Sequence, residues 1–268
     1  MGVPYAEVIG DPIAHSKSPV IHKFWLEKLG LEGDYRRALV RAGELASYLS
    51  SRRVDPDWRG CNVTMPHKAA IGPLLDDVES SAGRIGAVNT VTRFDALVVG
   101  LNTDLQGFDL ALGAFSATGK DVVLIGAGGA ARAALEALRQ ARPASLSVMN
   151  RDPGRAARLL ADLGIAGDAV PLGDPAPADL LINASALGMA DHPPLEIDLA
   201  ALRPGAVILD MVYHPVDTPL LRQARSLGLH GIDGLQMLVG QAAQAFALFF
   251  GAPPPREHDA ELRERLIR

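Results

Sequence analysis

The sequence predicts an α/β fold in two domains, and three observations predict it. Short apolar runs alternate with helical patterns from the start of the chain, the rhythm of parallel strands joined by helical crossovers. That rhythm restarts near residue 105 with longer, continuous apolar runs suited to a sheet covered on both faces. A chain of 268 residues at 48% hydrophobic composition is also near the size at which a single core divides.

Taken in order, "AEVIG" reads as a strand and "SPVIHKFWLEKLG" as a helix, with Ser18 expected as its N-cap, Pro19 in its first turn and Gly30 as its stop. "YRRALV" and "WRGCNV" continue the strands around the helical "GELASYLSS". "AVNTVTRFDALVVGLNTD" differs, because two β-rich runs flank a short turn at Phe94-Asp95 and predict a hairpin. Beyond it come a helix at "LQGFDLALGAF", a strand at "DVVLIG", a helix at "AARAALEALRQA" and strands at "SLSVMN", "DLLINAS" and "GAVILDMV". From Leu235 onward the pattern is helical again.

The totals exclude several classes of function. A formal net charge of -5 without a basic block leaves no electrostatic footprint for nucleic acid and no polybasic membrane anchor. One cysteine, Cys61, allows no internal disulfide, and no His/Cys cluster has metal-ligand spacing, so no metal is expected. The N-terminus "MGVPYAEVIG" lacks a signal-peptide pattern, and the apolar stretch from Leu235 to Phe250 is short and broken by Gln236, Gln241 and Gln244. A cytoplasmic protein acting on a small molecule, as monomer or homodimer, is the expectation.

Gly126-Ala127-Gly128-Gly129-Ala130-Ala131 matches GxGxxA after a strand and at the opening of a helix. The first glycine permits a tight turn, the second lets backbone approach a pyrophosphate, and the third small residue lets helix pack on strand. Unpaired N–H groups at the helix start then face the anion. This predicts a Rossmann-like dinucleotide-binding domain. The next strand ends in Asn150-Arg151-Asp152-Pro153-Gly154-Arg155. Arg151 and Arg155 suit the 2′-phosphate of NADP, since guanidinium pairs with phosphate through parallel hydrogen bonds. Asp152 has three readings: it repels that phosphate, it bonds the ribose of NAD, or it caps the next helix with Pro153 in the first turn. NADP is expected, with NAD as the alternative.

Hydride transfer to a carbonyl needs a second group that gives or takes the hydroxyl proton. Lys68, in "NVTMPHK", is a candidate, and Asp104, in "NTD" at the domain boundary, is the carboxylate suited to orient it. Taken alone, Lys68 reads as a solvated lysine and Asp104 as an N-cap. Nine motifs in order decide between these readings: "GDPIAHSKSP", "NVTMPHK", "GAVNT", "NTDLQGF", "GAGGAAR", "NRDPGRA", "INAS", "DMVY" and "DGLQMLVGQAA". From about residue 8 to residue 248 the chain resembles the shikimate/quinate dehydrogenase family.

The resemblance implies NADPH-dependent reduction of 3-dehydroshikimate to shikimate, a step of aromatic amino-acid biosynthesis. It makes Lys68 and Asp104 the catalytic pair. Ser16 and Ser18 then hold the substrate carboxylate, and Thr64, Asn89 and Asp104 the ring hydroxyls. Tyr213 and Gln241 become further substrate contacts, and Met211 and Gly234 line the nicotinamide. It also implies a discontinuous substrate-binding domain of residues 1–103 plus 235–268, a nucleotide-binding domain of residues 104–234, and a deep cleft between them. No histidine is assigned catalysis. The departure at Asp152, where the family often has Thr, bears on nucleotide choice; the competing readings are an NAD-accepting quinate/shikimate dehydrogenase and a catalytically silent sensor of ligand or cofactor.

Overall fold

The computed structural model describes residues 2–268, which divide into two compact units, residues 2–103 with 241–268, and Asp104–Gly240. In the first, strands β1 (Tyr5–Gly10), β2 (Asp34–Leu39), β3 (Trp58–Val63), β4 (Asp77–Val78), β5 (Thr90–Phe94) and β6 (Leu97–Leu101) form one sheet in the order β2-β1-β3-β5-β6-β4. β1 pairs in parallel with β2 and β3, whereas β5 runs antiparallel to both β3 and β6. The expected hairpin is present: Phe94 pairs with Leu97 around a two-residue turn, and Asp95 takes the left-handed conformation at φ 54°.

Three helices belong to this half of the chain, α1 (Ser18–Leu29), α2 (Leu45–Arg53) and α3 (Ser80–Ile85). Burial of Ile21, Phe24, Trp25 and Leu26 holds α1, each such side chain contributing roughly 1.5–3 kcal/mol. Gly30 ends the helix at φ 63°, and the Leu31 N–H returns to the Leu26 carbonyl, a Schellman closure. The entrance differs from expectation. Lys17 is the N-cap and Ser18 the first helical residue, because Lys17 already has helical backbone angles (φ −88°, ψ −4°); Ser18 therefore makes no cap bond.

The second unit opens with α4 (Asp104–Leu112) and continues through β7 (Asp121–Ile125), α5 (Gly129–Ala141), β8 (Ser145–Asn150), α6 (Pro153–Leu163), β9 (Asp168–Pro171), β10 (Leu180–Asn183), β11 (Val207–Asp210), α7 (Pro219–Ser226) and β12 (His230–Asp233). Its sheet has the order β12-β11-β10-β7-β8-β9, with every neighbour parallel. This is the doubly wound Rossmann arrangement. The chain runs outward from β7 to β8 and β9, then returns to β10 on the other side, so the C-terminal end of β7 is the topological switch point where such sheets bind ligands. Val122 to Ile125 and Leu180 to Ile182 are buried without alternation, as helices on both faces require.

α8 (Gly234–Phe250) crosses the division at Gln241, and α9 (Asp259–Ile267) follows in the first unit. There Phe246 and Phe249 of α8 join Trp25, Tyr35 and His22 in an aromatic cluster, with ring centroids 5.4 Å apart for Trp25 and Phe246. α9 is tied to α1 by Lys28–Glu261 and Arg265–Glu27 ion pairs. Among the described residues no helix is long and apolar enough to cross a membrane, and no group of His, Cys, Asp and Glu is arranged to hold a metal.

Candidate active site

In the first unit the candidate residues converge on the C-terminal end of β3. "NVTMPHK" begins inside that strand and leaves it as a series of turns, and each backbone group near the exit is tied down. Thr64 N–H donates to the Ile9 carbonyl (2.9 Å), Val63 N–H to Asn89 (2.7 Å) and Val88 N–H to Lys68 (2.7 Å). Thr64, Lys68 and Asn89 are thereby held on adjoining segments, with Thr64 and Lys68 half-buried and Asn89 buried. His67 is an anchor, as it is almost fully enclosed and its Nε2–H donates to the Val40 carbonyl at 2.7 Å. Gly10 is required beside them, since a Cβ there would lie 2.5 Å from the Thr64 methyl.

Ser16 and Ser18 stand together at the entrance of α1. The Ser16 hydroxyl donates to Ser18 Oγ at 3.3 Å and accepts from the Ser18 N–H. Arg37 of β2 donates twice to the Ser16 carbonyl, at 2.6 and 3.0 Å, and Lys17 donates to the Leu266 carbonyl at the end of α9. Two hydroxyls beside a helix start form a fitting receptor for a carboxylate. Gln241 of α8 is buried and receives the Thr103 hydroxyl at 3.5 Å, so it does not share an exposed stripe with Gln244.

In the second unit β7 delivers Gly126 to Ala130 at the start of α5. Gly126 has φ 112°, and a Cβ there would lie 2.8 Å from the Ala184 carbonyl, so the turn demands glycine. At Gly128 a Cβ would meet nothing within 4 Å, which leaves that backbone open to a ligand, and no side chain caps α5. Asn150 ends β8, and its Oδ1 accepts the Arg151 N–H at 3.0 Å. Arg151 and Arg155 are exposed, and neither has an ion-pair partner among the described residues. Asp152 occupies the N-cap position of α6 without a cap bond, and its carboxylate instead faces Arg158 at 3.4 Å. Open glycine backbone, an uncapped helix start and two unpaired guanidinium groups fit a phosphorylated dinucleotide.

Met211 and Gly234 are adjacent, for a Cβ on Gly234 would lie 2.5 Å from the Met211 carbonyl. Asp104 is buried as the first residue of α4. Tyr213 is half-buried on the loop after β11, and burial raises its phenol above the usual range. That loop is fixed by residues the sequence reading passed over. Asp210 accepts from Asn183 (2.9 Å), the Thr218 hydroxyl (2.6 Å) and the Val212 N–H (3.1 Å), and burial outweighs these bonds to raise its carboxyl pKa. In the first unit Tyr35, Asn62, Thr90 and Thr103 were likewise given no role, although Asn62, Thr90 and Thr103 lie inside the quoted motifs "NVTMPHK", "GAVNT" and "NTDLQGF".

Comparison with known proteins identifies the family. Residues 8–91 match the family model of the shikimate dehydrogenase substrate binding domain, residues 109–183 that of shikimate / quinate 5-dehydrogenase, and residues 234–261 that of the shikimate 5'-dehydrogenase C-terminal domain. The shikimate dehydrogenase (NADP(+)) of Sphingopyxis alaskensis is 55% identical over 267 residues, covering 98% of this chain and 97% of that protein. The chain belongs to the shikimate dehydrogenase family. Among solved members of comparable fold, the Thermus thermophilus shikimate 5-dehydrogenase in complex with NADP(H) and shikimate is 36% identical, with TM-score 0.86 over 98% of this chain and 99% of that one. The 5-ketofructose reductase of a Gluconobacter species is 31% identical with TM-score 0.90, covering 99% of both chains. The Corynebacterium glutamicum quinate dehydrogenase in complex with NAD is 32% identical with TM-score 0.85, over 98% of this chain and 99% of that one. One architecture thus serves several polyhydroxylated substrates, and the shikimate dehydrogenase fold alone does not select among them.

Proposed function

We propose that the protein is an NADP-dependent shikimate dehydrogenase, an oxidoreductase that reversibly reduces 3-dehydroshikimate to shikimate. The observation that carries this is the 55% identity to the NADP-dependent Sphingopyxis enzyme along nearly the whole of both chains. The site supports it. The first unit offers a hydroxyl pair for a carboxylate and fixed amides for ring hydroxyls, as a polyhydroxylated acid requires. When bound, the nicotinamide supplies hydride chemistry.

Lys68 gives the proton that the developing ring alkoxide requires, and Asp104 orients its ammonium group. Ser16 and Ser18 hold the carboxylate, Thr64, Asn89 and Asp104 hold the ring hydroxyls, and Gln241 and Tyr213 are further substrate contacts. Gly126 to Ala130 receive the pyrophosphate, Arg151 and Arg155 the 2′-phosphate, with Asn150 beside the ribose; Met211 and Gly234 line the nicotinamide. Asp152 does not oppose NADP in this reading, because its carboxylate is turned toward Arg158. A silent sensor would not need to keep both Lys68 and Asp104.

The test follows nicotinamide absorbance with shikimate or quinate and each nucleotide in turn. Shikimate-dependent reduction of NADP, well above that of NAD, is the expected result, and Lys68→Ala should lower kcat by about 10²–10⁴-fold with little change in the KM for shikimate. No turnover of shikimate with either nucleotide, or near-wild-type kcat in Lys68→Ala, overturns the reading.

A further inference from the structure

The segment Ser16-Lys17-Ser18 is held from two directions by side chains to which the substrate reading gives no role. Arg37 of β2 donates through Nε and Nη2 to the Ser16 carbonyl, at 3.0 and 2.6 Å, and so fixes the peptide between Ser16 and Lys17. Lys17 Nζ donates to the Leu266 carbonyl in the last turn of α9. The Lys17 carbonyl in turn accepts the Val20 and Ile21 N–H groups, at 3.0 and 3.3 Å, so the same residue closes the first turn of α1. Neither Lys17 nor Arg37 has an ion-pair partner among the described residues.

The course of α9 explains why a cation stands there. α9 runs back along α1 in the opposite sense. Glu261 near its start pairs with Lys28 at the end of α1 (2.6 Å), Arg265 reaches Glu27 (3.0 Å) and stands over the Phe24 ring, and Leu266 meets Lys17 at the head of α1. Leu262 and Leu266 are buried, which seats the helix. The last carbonyls of a helix have no partner within it and carry its partial negative charge. That end of α9 thus comes within one lysine side chain of the hydroxyl pair Ser16 and Ser18, where it opposes an anion. The Lys17 ammonium group satisfies one of these carbonyls and offsets their charge, and Arg37 adds a second cation beside Ser16.

We propose that Lys17 and Arg37 are positioning residues for the substrate carboxylate: they fix the segment that carries Ser16 and Ser18, and they keep the field at that segment positive against the carbonyl end of α9. This rests on the shikimate dehydrogenase reading and deepens it. The hydroxyls make the contact. The two cations act without leaving their carbonyl partners, and they favour an ionised acid over a neutral ligand of similar shape. α9 thereby takes part in substrate selection although none of its side chains is assigned to the substrate.

Calorimetry without nucleotide, with shikimate and its neutral methyl ester as ligands, tests this alongside steady-state constants. Lys17→Met should weaken shikimate binding about tenfold and ester binding less than about twofold. The loss should appear as a raised KM for shikimate rather than a lowered kcat, and the KM for NADP should not move. Lys17→Arg, which keeps the charge, should stay within about threefold of wild type for both ligands. Arg37→Met should shift the two ligands in the same unequal way, and it stands in if Lys17→Met does not fold. Equal weakening of acid and ester in Lys17→Met reduces the residue to a structural part and overturns the proposal, as does unchanged shikimate affinity in both Lys17→Met and Arg37→Met. A wild-type protein that binds acid and ester equally fails one step earlier, at the carboxylate assignment, and one that neither binds nor oxidises shikimate fails at the functional reading itself.

Discussion

His22 illustrates how a single side chain couples the interior of the first unit to pH. Its ring is stacked on that of Tyr35, nearly parallel to it with centroids 3.9 Å apart, and neither ring nitrogen has a hydrogen-bond partner. Burial pushes its pKa down to about 3 from the ordinary 6.5, so the folded protein keeps the ring neutral where the unfolded chain would protonate it. The sign follows: stability is complete above pH 6.5 and drains away as pH falls from 6.5 toward 3. Between pH 7 and pH 5 the wild type should lose about 2 kcal/mol more than His22→Phe, which retains the stack and removes the titration. Urea denaturation of both proteins at the two pH values measures this, and parallel losses would refute it. The sequence reading found no partner for His22 and assigned it nothing; that it is a buried aromatic spacer depends on α8 returning over α1, which no local pattern records.

At the scale of the element, the β7–α5 turn is the most demanding piece of backbone. Gly126 combines a left-handed φ with the Ala184 carbonyl where a side chain would go. Gly126→Ala should therefore cost on the order of 1–3 kcal/mol or more and weaken NADP binding, read as a lowered urea midpoint together with a raised dissociation constant for NADP. Gly128→Ala at the same turn, where a Cβ meets nothing within 4 Å, should leave the midpoint near wild type. This turn was legible in the sequence because strand, glycines and helix follow each other within a few residues. The β5–β6 hairpin was legible for the same reason. β4, β9 and β12 were not, being short strands of two to four residues with mixed polarity, placed by pairing at sheet edges rather than by their own periodicity. Ser18 shows the local limit: the residue type suited a cap, but Lys17 had already entered helical geometry.

For the whole molecule, two sheets and two cores imply that each ligand stabilises chiefly the unit that receives it. Cys61 provides the reading. It is fully buried in β3, and burial pushes its thiol pKa up to about 12, so a thiol reagent reaches it when the first unit opens. Saturating shikimate should slow Cys61 labelling strongly by mass action, whereas NADP alone should change the rate less than about twofold. Equal protection by both ligands would mean that the units open together. The division itself was foreseeable from the restarted rhythm of strands and helices. Its second crossing, inside α8 at Gln241, carries no composition change to mark it.

The β8–α6 turn stands apart from everything beneath it. Arg151, Asp152 and Arg155 project into solvent, so exchanging them disturbs no packed neighbour. On the proposed reading, where these residues meet the 2′-phosphate, nucleotide preference can therefore change by point substitution, whereas ring recognition rests on buried side chains whose exchange disturbs their neighbours.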